Sequence, residues 1–202
     1  MRALTEDGSP VNSRASHEGG NHGTLGLNKW HGGIRRYGRA MPRFRPTARL
    51  LVLDPADRVL LFSAVDSRGR VWFTPGGGVH RGESLEAAAV RELAEETGHI
   101  RAEADIGPLV ATCSGLWATE DGFTFFGADA FFGVRVAEPR VDTDGQEALE
   151  RSVITGYRWW TTAELRATGD RIVPYGLSDL VDRLVNDGVP ARPVRLPWRL
   201  GT

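Results

Sequence analysis

The sequence has little cysteine and lacks long apolar runs. Cys113 is the only cysteine among 202 residues, so no disulfide can form within the chain, which fits a reducing compartment. No stretch approaches the ~20 apolar residues that a membrane-spanning helix needs. The N-terminus also lacks the roughly 7–15-residue apolar stretch of a secretory signal peptide. These absences predict a cytoplasmic protein without a membrane partner.

A large net charge is also missing. The formal net charge is −1 at pH 7, so no overall field favours nucleic acid or an anionic membrane. The charge is uneven, because residues 1–46 carry eight Arg and Lys against three acids, which is +5 and leaves −6 for the remainder. Nucleic-acid binding is therefore not expected, and weak binding through the N-terminal arginines is the alternative.

Length and composition divide the chain into a central domain and two tails. The chain is long enough for one well-buried core. Residues 1–45 are rich in Gly, Ser, Asn, His and Arg without an apolar period, so we expect a flexible basic tail. Residues 46–188 form the predicted domain, and residues 189–202 form a Pro- and Arg-rich tail that we expect to be extended. A homodimer is compatible with this organisation.

The central domain has the pattern of a mixed α/β fold. Apolar, β-branched runs predict strands at residues 47–54, 58–65, 70–74, 108–118, 123–136 and 155–160. Periodic segments predict helices at residues 85–97 and 177–187. A further predicted helix starts with residues 162–167. Asp121-Gly122 is a strong hairpin signal, and Pro75 with the three glycines after it is expected to break the chain. Residues 137–153 are predicted to form a polar, acidic loop.

The predicted helix at residues 85–97 has clear end signals and two distinct sides. Ser84 suits its N-cap, and Gly98 suits the left-handed position after its last turn. One side is the expected core face, formed by Ala87, Val90, Leu93, Ala94 and Thr97. Another side carries three neighbouring glutamates within an arc of about 100°.

These three residues, Glu92, Glu95 and Glu96, should repel one another. Like charges four positions apart destabilise an exposed helix by roughly 0.2–0.5 kcal/mol per pair. A hard divalent cation removes the repulsion, because Mg²⁺ prefers carboxylate oxygens and substrate phosphate as ligands. The alternative is a solvated acidic face without a metal.

The spacing around these glutamates resembles a known motif. Gly77 is followed after five residues by Glu83, and after seven more by a run that starts at Arg91 and contains all three glutamates. The pattern resembles the Nudix box, Gly-x5-Glu-x7-Arg-Glu-apolar-x-Glu-Glu-x-Gly-apolar, over residues 77–98. His99 takes the last apolar position, where we expect a packing role.

The resemblance to the Nudix family implies a fold and an activity. The implied fold is a Nudix-type α/β/α sandwich with a mixed β-sheet. The implied reaction is hydrolysis of a pyrophosphate bond in a nucleoside diphosphate linked to another group, with Mg²⁺ or Mn²⁺ as cofactor. The partner is then a small nucleotide-type molecule. The alternative is a module on the same fold that senses a nucleotide or metabolite without cleaving it.

The resemblance also implies roles for individual residues. Glu92, Glu95 and Glu96 match the metal-binding and catalytic glutamates, and the backbone carbonyl of Gly76 matches a further metal contact. Arg91 matches the arginine that orients the carboxylates. The remaining motif positions, which support the site, are Gly77, Glu83 and Gly98.

Further residues are candidates for proton transfer and substrate binding. Many Nudix relatives take a catalytic acid from a late loop, where this chain has Glu147 and Glu150. Either glutamate is a candidate general base, and both could instead be plain loop charges. Arg49 and His80 are candidate substrate contacts. A prenyl diphosphate isomerase is a less favoured alternative, because Cys113 is the sole cysteine that such chemistry could use.

Overall fold

The structure, a computed structural model of the 202-residue chain, describes residues 42–118 and 124–198. The strands are β1 (Arg43–Leu53), β2 (Val59–Asp66), β3 (Gly69–Phe73), β4 (Gly76–Gly78), β5 (Leu109–Ala118), β6 (Thr124–Arg135), β7 (Gly156–Trp160), β8 (Arg171–Val173) and β9 (Val194–Arg195). The helices are α1 (Leu85–Thr97), α2 (Ala148–Val153), α3 (Thr162–Ala167) and α4 (Leu177–Asn186), with a 3-10 turn at Glu103–Asp105. Among the described residues, no helix is long and apolar enough to cross a membrane.

The strands form one mixed sheet. The order is β8-β3-β2-β1-β6-β5-β9, with β4 also paired to β1 and β7 to β2. The central pair, β1 and β6, is parallel and stays in register from Arg43↔Phe125 to Leu53↔Arg135. β2 and β4 run antiparallel to β1, and β5 runs antiparallel to β6.

Helices cover both faces of this sheet. Side chains on a strand alternate between its faces, so Leu50 and Val52 of β1 join one core, whereas Leu51 and Leu53 join the other. The first core includes Ala88, Ala89 and Leu93 of α1. The second core includes Leu177, Leu180, Val181 and Leu184 of α4. These layers confirm the predicted α/β/α sandwich.

Helix α1 has the predicted bounds and caps. The Ser84 hydroxyl accepts the Ala87 N–H at 2.9 Å. Gly98 has φ 74°, and its N–H donates to the Ala94 carbonyl at 3.0 Å. These end signals are dependable because each one pairs a backbone group that a helix end leaves without a partner.

Three local elements differ from the sequence-based prediction. Gly76–Gly78, where a chain break is expected, forms β4 against β1. Only glycine allows this approach, because a Cβ at Gly76 would lie 2.1 Å from the Ala48 carbonyl oxygen. The predicted loop at residues 137–153 contains α2, and the unpredicted strand β8 pairs with β3.

The sheet extends past both predicted boundaries of the domain. β1 begins at Arg43, and β9 pairs with β5 inside the predicted C-terminal tail. Leu196, which follows β9, is buried. The predicted N-terminal tail up to residue 41 and the predicted turn at Asp121-Gly122 lie outside the described residues.

Candidate metal centre

The glycines of β4 bring the backbone against α1. The Gly76 N–H donates to Glu96 Oε2 at 2.6 Å, and the Gly76 carbonyl accepts from Arg49 Nη1 at 2.6 Å. A Cβ at Gly77 would lie 2.4 Å from Glu92 Oε1, so the Glu92 side chain fits only beside a glycine. β4 therefore receives two glutamates of α1 in close contact.

Helix α1 buries two of its three neighbouring glutamates. Glu92 is 4% exposed and Glu96 is 2% exposed, whereas the side chain of Glu95 is 39% exposed. The buried residues of α1 are Ala88, Ala89, Glu92, Leu93, Glu96 and Thr97. The predicted core face is therefore partly wrong, because α1 turns Ala88, Ala89 and two glutamates toward the sheet. The predicted core residues that are only half-buried are Ala87, Val90 and Ala94.

A third buried carboxylate comes from α2. Glu150 is 6% exposed, and its Oε2 accepts the Glu147 backbone N–H at 3.0 Å. Glu92, Glu96 and Glu150 each place a carboxylate oxygen within 4.8 Å of the others. Because α1 and α2 are far apart along the chain, the fold alone brings these three groups together.

Arg91 links the motif residues around this cluster. Its Nε donates to Glu83 Oε1 at 2.9 Å, and its Nη1 donates to Glu92 Oε1 at 2.8 Å and to Glu95 Oε2 at 3.1 Å. Its Nη2 donates to the Gly78 carbonyl at 2.9 Å. Burial lowers the pKa of Arg91, but hydrogen bonds to Glu83 and Glu92 outweigh burial and raise it above its usual range. Arg91 therefore stays charged and orients the Glu92 carboxylate.

The buried carboxylates have raised pKa values. Desolvation raises the pKa of Glu92 to about 7 although Arg91 opposes the shift. Desolvation, followed by the charge of Glu92, raises the pKa of Glu96 to about 8. Burial also raises the pKa of Glu150. The surrounding side chains thus leave these negative charges incompletely compensated.

The cluster fits a divalent cation. Its three carboxylates offer hard oxygen ligands within 4.8 Å of one another, and Mg²⁺ and Mn²⁺ prefer such ligands. A cation would also supply the missing positive charge. The Gly76 carbonyl can add a further oxygen, because a carbonyl has two lone pairs and Arg49 uses one of them.

The other predicted site residues lie around the cluster and not in it. Glu147 is exposed at the N-cap of α2, and the Glu95 carboxylate is held by Arg91. His80 is exposed, with Nδ1 3.9 Å from Glu83 Oε2. His99 bridges Thr97 and the Glu138 carbonyl through contacts of 3.1 and 3.2 Å. The spacing Glu147-x-x-Glu150, which resembles a capping box, is the sequence signal that could have revealed the start of α2.

Comparison with known proteins agrees with this geometry. Residues 43–179 match the family model for the NUDIX domain. Over 55 residues, the chain is 40% identical to an RNA pyrophosphohydrolase of Sphingopyxis alaskensis, a match that covers 27% of this chain and 35% of the relative. Over 52 residues, it is 46% identical to a putative 8-oxo-dGTP diphosphatase of Bacillus subtilis, which covers 26% of this chain and 34% of the relative. The chain thus spans about a third of the length of these curated relatives.

A solved structure has the same fold. The NUDIX domain of Shewanella oneidensis NrtR, solved in complex with ADP ribose, gives a TM-score of 0.53 at 18% identity and covers 74% of this chain and 94% of that one. The family match at residues 43–179 spans more than half of the chain and contains all three buried glutamates of the cluster. The chain therefore belongs to the NUDIX domain family.

Proposed function

We propose that this chain hydrolyses a pyrophosphate bond in a nucleoside triphosphate or another nucleoside-diphosphate-linked substrate, with Mg²⁺ or Mn²⁺ as cofactor. The observation that carries the proposal is the cluster of Glu92, Glu96 and Glu150, three buried carboxylates within 4.8 Å of one another. Buried charges without partners destabilise a fold. A cation held beside a diphosphate would give these carboxylates the positive charge that they lack.

The residues of the site divide into those that hold the cation and those that position the substrate. Glu92 and Glu96 would hold it together with the Gly76 carbonyl. When bound, it neutralises diphosphate charge and favours attack of water on phosphorus. Arg49 lies against the Gly76 carbonyl, where its guanidinium can also pair with a phosphate oxygen.

The reaction also requires a group that accepts a proton. Attack of water on phosphorus breaks the anhydride P–O bond and releases one proton, which a nearby carboxylate can accept. We assign this step to Glu150, because it stands on a separate element and has a carboxylate oxygen within 4.8 Å of carboxylate oxygens of Glu92 and Glu96. Glu147 holds Glu150 through its backbone N–H. Glu95 braces Arg91 and thereby the Glu92 carboxylate.

The names of the relatives support this type of reaction. The matches to an RNA pyrophosphohydrolase and to a putative 8-oxo-dGTP diphosphatase cover only about a third of either protein. They support cleavage of a phosphoric anhydride and do not identify the nucleotide. The small size and modest charge of the chain fit a small-molecule substrate.

A substrate panel tests the proposal. Purified protein with Mg²⁺ is incubated with nucleoside triphosphates, oxidised dGTP, ADP-ribose, NADH, nucleotide sugars and 5′-triphosphate RNA, and the products are separated by chromatography. We expect cleavage that is abolished by EDTA and by Glu96→Gln and retained in Glu86→Gln, since Glu86 is an exposed residue of the same helix. Tight binding without cleavage would contradict the hydrolase and favour a sensing module.

A further inference from the structure

One face of the sheet carries charged and aromatic side chains close to the metal centre. In β1, β6 and β5, the aligned residues Thr47, Asp129 and Cys113 form one row across the strands. Arg45, Gly127 and Gly115 form the next row. Thr47 Oγ1 donates to Asp129 Oδ1 at 2.5 Å. Arg49 continues the same side of β1 and reaches the Gly76 carbonyl.

The two glycines of this face form a seat for Trp198. A Cβ at Gly115 would lie 2.2, 2.3 and 2.6 Å from Cγ, Cδ1 and Cδ2 of Trp198, and a Cβ at Gly127 would lie 2.6 Å from its Cη2. Three atoms of one ring at nearly equal distances mean that the indole lies flat on the strands. Glycine inside a strand often marks such a close approach. One face of the indole is therefore covered by the sheet, and Trp198 as a whole is half-buried.

Trp198 reaches this seat from a segment outside the family match. The match ends at residue 179, and the chain then returns as β9 beside β5. The Leu196 N–H donates to the Thr112 carbonyl at 2.8 Å, and Trp198 Nε1 donates to the Leu116 carbonyl at 3.2 Å. These bonds fix the indole in place, so its position is built and not incidental.

Aromatic and cationic groups surround the seat. The rings of Trp117 and Phe125 stack with centroids 4.7 Å apart, and the Arg45 guanidinium lies 5.8 Å from the Trp117 centroid. Arg45 and Arg49 are four residues apart on one strand, which is about 13 Å. A nucleoside with two phosphates can cover that span. Flat aromatic groups stack favourably on tryptophan, and arginine adds to the attraction.

We propose that this face, with Trp198 as its stacking platform, binds the nucleobase half of the substrate and places its phosphates toward Arg49 and the glutamate cluster. The proposal rests on the proposed function, since it names the site for the non-reacting half of the same substrate. Trp198 then determines specificity for substrates with an aromatic base. It does so from a segment that lies beyond the residues matched by the family model.

Binding and kinetics of single variants test the proposal. Titration calorimetry on the full chain with Mg²⁺ compares the four nucleoside 5′-monophosphates with ribose 5-phosphate, which lacks the base. We expect Trp198→Ala to weaken the best nucleoside monophosphate about tenfold and to leave ribose 5-phosphate unchanged. Trp198→Phe should retain most of the affinity. Gly115→Ala, which keeps the indole but unseats it, should resemble Trp198→Ala.

A matched control lies on the other side of the same strands. Phe44 is 68% exposed, and alternation along β1 places it on the face opposite Arg45, so Phe44→Ala should bind every ligand as the wild type does. With any nucleotide that is cleaved, Trp198→Ala should raise KM about tenfold with little change in kcat.

The possible results separate this proposal from the hydrolase itself. Equal nucleoside monophosphate affinity in wild type, Trp198→Ala and Gly115→Ala overturns the base site, even where turnover is normal. Failure of the wild type to prefer nucleoside monophosphates over ribose 5-phosphate also overturns it. Loss of base-dependent binding in both variants supports the site even where no substrate is cleaved, in which case the hydrolase proposal alone fails. If Trp198→Ala does not fold, as judged by circular dichroism, Gly115→Ala decides the result.

Discussion

Helices α1 and α4 pack against opposite faces of one sheet, yet they bury different kinds of residues. The buried residues of α4 are Leu177, Leu180, Val181 and Leu184. Those of α1 include Glu92, Glu96 and Thr97 beside two alanines and one leucine. An ordinary amphipathic helix buries an apolar stripe, which describes α4 and not α1.

The difference shows which helix serves stability and which serves the reaction. Burial of leucine and valine stabilises the fold by about 1.5–3 kcal/mol per side chain, so α4 is a stabilising layer. Burial of Glu92 and Glu96 raises their pKa values to about 7 and about 8, which is a cost to the folded state. The caps of α1, Arg91 and the glycines of β4 hold α1 in place although the burial of Glu92 and Glu96 destabilises the folded state. The following predictions test this contrast.

Replacement of Glu96 should have the largest effect on activity. Glu96→Gln keeps the shape of the side chain and an oxygen for the Gly76 N–H but removes a carboxylate from the cluster. We expect kcat/KM to fall about 1,000-fold, or about 4 kcal/mol. In EDTA at pH 8 the variant should melt no lower than the wild type, because it removes a buried charge. Full activity in Glu96→Gln would remove the basis for assigning α1 to the reaction.

Replacement of a buried leucine in α4 should lower the stability of the fold and leave the activity of the folded protein unchanged. Leu180 is 2% exposed, so Leu180→Ala should lower the free energy of unfolding by about 3 kcal/mol. Below its melting temperature, kcat and KM should match the wild type. Urea unfolding followed by circular dichroism measures the first quantity and steady-state kinetics the second. A selective loss of kcat in the folded variant would mean that α4 also shapes the site.

Stability without metal should fall as the pH rises. The unfolded chain loses the Glu92 proton near pH 4.5, whereas the folded chain keeps it until about pH 7. Between these values the folded state binds more protons, so the free energy of unfolding decreases with pH. From pH 5.5 to 7, Glu92 alone should cost about 2 kcal/mol. Urea unfolding in EDTA measures this slope, which Glu92→Gln should reduce and Mg²⁺ should offset. A stability that rises with pH over this range would contradict the assigned burial.

Arg91→Lys should weaken the site without removing it. Lysine keeps the charge but cannot bond Glu83, Glu92, Glu95 and the Gly78 carbonyl together as Arg91 does. We expect kcat to fall about tenfold and the Mg²⁺ concentration for half-maximal rate to rise. Kinetics over a Mg²⁺ series measures both. An unchanged Mg²⁺ requirement would show that Arg91 does not orient the carboxylates.

The smallest effect is expected at two exposed ion pairs between α3 and α4. Arg166 lies 3.2 Å from Asp179 and 3.4 Å from Asp182, and all three side chains are solvent-exposed. Water and salt screen such pairs, so Arg166→Ala should leave the melting temperature and kcat unchanged. A clear drop in melting temperature would show that α4 depends on charges as well as on its apolar face.

The bounds and caps of α1 could be predicted because they depend on local residues. Ser84 and Gly98 each satisfy backbone groups within one turn of the helix, and the motif spacing is contained in residues 77–98. The burial of Glu92 and Glu96 could not be predicted in this way, since it depends on contact with the β4 glycines.

Long-range placement was also beyond the sequence pattern. The choice of Glu150 over Glu147 for the cluster depends on how α2 packs near α1. The pairing of β9 with β5 joins residues that are far apart in the chain. Periodicity identifies strands but not their partners, because a strand pattern carries no information about which edge it meets.

Binding of Mn²⁺, followed by electron paramagnetic resonance, tests the central claim most directly. Mn²⁺ is titrated into wild-type protein, Glu96→Gln and the exposed control Glu86→Gln, and free Mn²⁺ is read from its signal. The account predicts bound Mn²⁺ in the wild type and in Glu86→Gln, displaced by excess Mg²⁺, and a loss of that binding in Glu96→Gln. Equal binding in all three proteins would place the metal elsewhere and contradict the assignment of the buried glutamates of α1.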